Sequence, residues 1–262
     1  LYPVSDEELT EIVKKVEAKL PHTMDDGVSL VDPEATHDEN WYENEGAVEW
    51  NYWEDYRQYL KGENWTPKII SSMDKVTGKI LGLLNNPRDP GEWDRRGLVI
   101  GDVQSGKTAN YLGLVARAAD AGYKFIVVIA GIHNNLRKQT QERVDEGFVG
   151  RNNNGNLLGV GLRNKGRSFP ASLTNPKSDF TIKQAQATNL KLNSITYPVI
   201  VVIKKNVKTL SALYEWLKNF NTASGSEQIQ NIPMLMIDDE ADHASINTSK
   251  EHNDPTRTNQ EL

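Results

Sequence analysis

Cysteine is absent from this chain of 262 residues. Its absence excludes disulfides and thiolate metal sites, and a reducing compartment such as the cytoplasm fits. Long apolar runs are also missing: none approaches the roughly 18 residues that a membrane span requires. The opening stretch LYPVSDEELT lacks the basic and apolar layout of a secretory signal. It lacks an initiating methionine too, so the expectation is a piece of a longer protein. No internal repeat is apparent.

The rest of the composition is that of an ordinary globular protein, with 37% hydrophobic and 25% charged residues. The net charge of −6 is unevenly spread. Residues 1–60 carry 16 acidic against 4 basic side chains, while residues 61–262 carry 20 against 26. A solvated acidic surface accounts for this. An acidic flap that competes with nucleic acid for the basic remainder is the sharper alternative.

Turn residues and apolar spacing set out the elements. Ser5 and Glu8 form a capping box for a helix to about Leu20, and residues 21–49 read as an acidic loop. EWNYWEDYRQYL places Trp50, Trp53 and Leu60 at helical spacing, which suits an aromatic face packed on the main body. Thr66-Pro67 opens a helix bearing Ile69, Ile70, Met73, Val76, Ile80, Leu83 and Leu84. Four short apolar runs then read as strands: 98–100, 125–130, 199–203 and 234–237. Helices are expected at about 107–121, closed by Gly122, at about 134–146, closed by Gly147, and at 207–220, opened by Asn206. Residues 150–197 look like an insertion with one helix from Asp179 to about Leu192. The expectation is a three-layer α/β domain with a mostly parallel sheet over 63–262, preceded by an acidic, partly helical segment over 1–62.

The chemistry gathers at two places. GDVQSGKT, residues 101–108, matches the pattern G-x-x-x-x-G-K-[ST] between an apolar run and a helix. Gly101 and Gly106 let successive amides point inward at phosphate oxygens, with Gln104 and Ser105 on the same loop. Lys107 supplies a cation for the β- and γ-phosphates, Thr108 a hydroxyl for Mg²⁺, and the helix start a positive dipole end. The ligand expected is ATP with Mg²⁺. The second place is PMLMIDDEADHAS, residues 233–245, where an apolar run ends in Asp238, Asp239, Glu240 and Asp242. Carboxylates at the end of a buried strand need a cation nearby. Asp239 can hold Mg²⁺ and Glu240 can orient or deprotonate the attacking water. His133, His243 and His252 include no tight pair, so zinc is not expected.

Asp239-Glu240-Ala241-Asp242 resembles the D-E-A-D form of the second motif of superfamily-two helicases, which points to a translocase rather than a kinase or small GTPase. GDVQSGKTANYLGL, DAGYKFIVVIAGIHNNLRKQTQERVDEGFVG and IDDEADHASINT together resemble the Z-one domain family over about residues 65–250. These are prokaryotic proteins regarded as endonucleases with a helicase-like motor, found near restriction and antiviral defence genes.

The resemblance implies a first RecA-like motor domain of a DNA-dependent ATPase. It assigns nucleotide and metal roles to Lys107 and Thr108, and hydrolytic roles to Asp239 and Glu240. Nucleic-acid contacts are implied near Asn134, Asn135, Arg137, Gln139 and Gln141, and near Lys204 and Lys205. A second RecA-like domain, any nuclease residues and further defence proteins would then be partners beyond residue 262. Such motors draw an arginine finger from the second domain, worth roughly 10³–10⁵ in rate. The expectation is therefore that this piece binds Mg·ATP and hydrolyses it barely above background. An ATP-dependent switch or scaffold that does not move along DNA is the alternative.

Overall fold

The computed structural model describes residues 37–43, 48–100, 106–164, 166–222 and 229–241. The helix expected over 5–20 lies outside them, as do Gly101 to Ser105 and everything from Asp242 onward.

Four parallel strands form one sheet in the order β2-β3-β1-β4, with β1 at Phe125–Ala130, β2 at Ala171–Ser172, β3 at Val199–Lys204 and β4 at Met234–Asp238. Continuous apolarity in FIVVIA and VIVVI follows from helices on both faces. Alternate side chains take opposite sides. Ile126, Val128, Ala130, Ile200, Val202 and Leu235 join one core. Phe125, Val127, Ile129, Val199, Val201 and Ile203 join the other. Every residue of β1 is at most 1% exposed, so each Ile, Val or Phe there contributes about 1.5–3 kcal/mol.

The first core is covered by α1 (Tyr52–Gly62), α2 (Pro67–Leu83) and α3 (Lys107–Ala121). Thr66 caps α2 through the Ile69 amide, ahead of Pro67 at its first position. Trp53, Tyr56 and Leu60 of α1 are buried, so its aromatic face packs inward as the spacing predicts. Asn51 makes no side-chain cap for α1. That role falls to Asp120 of α3, whose carboxylate accepts the Tyr52 and Trp53 amides at 2.9 Å each. Arg117 completes the latch: its guanidinium lies over Trp50 and Trp53 at 4.8 and 4.4 Å and pairs with Asp74.

Helix α4 (Asn134–Val144) adds Val144 to the first core, and on the other side lie α5 (Ile182–Ala187) and α6 (Val207–Asn221), which line the second. Asn206 caps α6 by accepting the Thr209 amide. The stretch read as an insertion supplies β2, which extends the sheet beside β3 through Ala171↔Val199 and Ser172↔Ile200.

Three expectations are corrected. Leu98, Val99 and Ile100 form no strand and are 76%, 62% and 87% exposed. A three-residue apolar run is buried only if a neighbouring strand pairs with it, and none of the described strands does. The helix expected to stop at Gly147 leaves α-geometry at Val144 and continues as a wider turn over Asp145–Val149, closing at Gly150. Gly147 serves close packing instead, since a methyl there would stand 3.1 Å from both Leu112 and Tyr56. The helix expected over 179–192 is confined to α5, because Thr181 caps its start and Asn189 turns left-handed beyond its end. Among the described residues, no helix is long and apolar enough to cross a membrane.

Candidate functional site

In a parallel sheet the carboxyl ends of all strands share one rim, and here that rim collects the charged residues. Gly131 follows β1, Lys205 follows β3, and Asp238 closes β4. The Asp239 amide extends the ladder by donating to the Ile129 carbonyl at 2.9 Å. Helix α3 starts at the same rim with Lys107.

Lys205 is the organising cation. Its side chain is wholly enclosed, and its ammonium stands 2.5 Å from Asp238 Oδ1. The same ammonium donates to the Glu240 carbonyl oxygen at 2.8 Å. A buried charge without such partners costs several kcal/mol, so the pair fixes the turn after β4. That turn needs fixing because Glu240 has φ 61°, a left-handed conformation that disfavours a side chain.

The Glu240 carboxylate then lies over the backbone of Gly131. A methyl group at position 131 would come within 2.7 Å of Glu240 Oε2 and 2.9 Å of Leu136 Cδ1. Close approach, not its dihedral angles, is what favours glycine here: a methyl would press on the flexible ends of Glu240 and Leu136.

Gly106 precedes α3 in the left-handed region, with φ 73°. Lys107 is exposed and Thr108 half-buried. One turn further, the Tyr111 hydroxyl is closed off from solvent and faces Thr108, Thr140 and Asp239. It completes no hydrogen bond of full geometry among the described residues. Burial and the nearby Asp239 charge both push the Tyr111 phenol up. Burial likewise raises Asp239 above the usual carboxylate range, opposed by the Glu240 amide, by Tyr111 and by the charge of Lys107. Lys107 and Asp239 thus act on one another across the rim. Arg143, from the last turn of α4, reaches the same place and donates to Thr108 Oγ1 at 3.1 Å.

Of the residues singled out from sequence, Gly106, Lys107, Thr108, Asp239 and Glu240 gather on this rim. Gly101, Gln104 and Ser105, with Asp242 and His243, lie outside the described residues. The nucleic-acid candidates divide. Asn135 and Gln139 are exposed on α4. Lys204 is half-buried and donates to Asn134 at 3.0 Å. Two others are buried and bonded within the chain. Arg137 is 3% exposed and holds the Asn175 and Pro176 carbonyls at 3.0 Å each, so it anchors the β2 region. Lys205 is enclosed by the carboxylate turn, which engages its ammonium. Gln141, named with them, is also buried and bonds to Asp145 and Thr174.

The sequence reading missed Gly131, Tyr111 and Arg143, and the true use of Lys205. One signal was available: a lysine directly after a continuous apolar strand sits where burial, not solvent, is the default. An apolar groove of about 300 Å³ lies at the opposite end of the strands, against Phe125 and Met234, away from this chemistry. Among the described residues no group of three or more His, Asp or Glu side chains could by itself hold a metal ion. No protein-family model, curated protein or solved structure matches the chain.

Proposed function

We propose that this chain is an ATP-binding, helicase-like motor domain of the RecA type, the first of two, belonging with a Z-one domain endonuclease of a restriction or phage-defence system. One observation carries the reading: the start of α3, with Lys107 and Thr108, meets Asp239 and Glu240 on the rim where parallel α/β sheets bind ligands. The donor set suits a magnesium-bound triphosphate. A hydroxyl at Thr108, a half-buried carboxylate at Asp239 and the enclosed Tyr111 hydroxyl offer hard oxygen atoms around one spot. Magnesium, when bound, neutralises charge on the phosphate oxygens. Lys107 would bind phosphate, Thr108 and Asp239 would hold the metal, and Glu240 would align the attacking water and accept its proton.

Arg137 and Lys205, two of the expected nucleic-acid contacts, are buried, which supports as a second reading a nucleotide-dependent switch that assembles a defence complex. ATPase activity of the intact protein with and without DNA separates the two, since only the motor responds to DNA. Lys107→Ala should lose nucleotide binding, whereas Glu240→Gln should bind and stall. Parent-like behaviour of both variants sinks the proposal.

A further inference from the structure

Arg143 belongs to no motif, yet it ends on the rim. It occupies the last turn of α4, whose inner face is held by Gln141 and Val144, both wholly buried. The helix is therefore a firm base, while the Arg143 side chain itself is exposed. Its Nη1 donates to Thr108 Oγ1 at 3.1 Å, one residue from Lys107. Its charge also reaches Tyr111, which faces Asp239.

We infer that Arg143 contacts the terminal phosphate of a bound nucleoside triphosphate, supplied by the same chain as Lys107. This rests on the proposed nucleotide site. Three features support it. A guanidinium presents a planar fork that matches phosphate oxygens, which a surface ion pair would not require. A guanidinium and a divalent cation compete for the single Thr108 oxygen, so a metal there frees the Arg143 fork for an anion that arrives with it, as a phosphate chain does. The enclosed Tyr111 hydroxyl, which completes no full hydrogen bond among the described residues, adds a polar group beside Thr108 and Asp239 at the same spot.

The contact distinguishes a triphosphate from a diphosphate, and binding reads it without turnover. Isothermal titration of the chain with Mg·ADP and with a non-hydrolysable Mg·ATP analogue should show Arg143→Ala losing on the order of tenfold to a hundredfold for the analogue. Affinity for Mg·ADP should stay within about threefold of the parent. Arg143→Lys, which keeps the charge without the fork, should fall between. Equal affinities in parent and Arg143→Ala overturn the inference, and so does an equal loss for both nucleotides. A parent that binds neither nucleotide overturns the nucleotide site itself, a distinct result. Melting curves of both variants should overlay the parent's, because the side chain is exposed.

Discussion

The Lys205 ammonium bridges two parts of one turn, the Asp238 carboxylate at 2.5 Å and the Glu240 carbonyl at 2.8 Å. Lys205→Met keeps the buried stem and removes the charge. Loss of one partner of a buried pair costs roughly 3–5 kcal/mol, and the partial exposure of Asp238 places this case at the lower end. Urea unfolding measures it, and a change under about 1 kcal/mol would rule out the bridge as a fixing element. If the turn aligns Glu240 for hydrolysis, single-turnover rates should also fall, on the order of tenfold or more, with nucleotide affinity kept.

Gly131→Ala tests the seat of Glu240 from the opposite side. The added methyl meets Glu240 Oε2 at 2.7 Å, and the flexible carboxylate is the group that gives way. Stability should change by only about 1 kcal/mol. If Glu240 serves hydrolysis, turnover by the intact protein should drop by on the order of a hundredfold, because about an ångström of displacement suffices. Retained turnover in a folded Gly131→Ala protein would show that the Glu240 position is not critical.

Arg117→Lys isolates planarity from charge in the aromatic latch. Lysine keeps an ion pair with Asp74 but loses the flat stacking over Trp50 and Trp53 and the bond to Thr77. The expected loss is about 1–3 kcal/mol, seen as a lowered melting temperature. An unchanged melt would mean the stacking adds nothing to the ion pair.

Two buried acids set a pH dependence of stability. Burial lifts Asp145 to about 7 and Asp120 to about 6. In the folded state each holds its proton to higher pH than in the unfolded chain. Their contribution is therefore full below about pH 4 and is lost as pH rises, first through 6 and then through 7. Urea midpoints taken from pH 5 to 8 should decline for this reason. Asp145→Asn can still accept the Gln141 bond and should flatten the upper part of that decline. A profile identical to the parent's would exclude Asp145 as its source.

The sheet was legible where an apolar run is long enough to demand cover on both sides: β1, β3 and β4 sit where the sequence puts them. Helices α2, α3 and α6 were legible because their first residues are chemically marked by Thr66, Gly106 and Asn206. Leu98 to Ile100 misled because burial depends on a pairing partner that composition does not reveal. β2 was invisible because two residues carry no pattern. At the site, the motif residues were legible by spacing, whereas Lys205 and Arg143 act through distant parts of the chain and needed coordinates.

The strand order has a mechanical consequence. β4, which bears the candidate hydrolytic carboxylates, pairs only with β1 among the described strands, and its Met234 and Met236 are 40% and 46% exposed. Amide protons should thus exchange sooner along β4 than along β1, which is clamped on both edges. Fraying there would shift Asp238 and its neighbours while the centre stays intact, so the candidate carboxylates stand on a strand that can move without unseating the core.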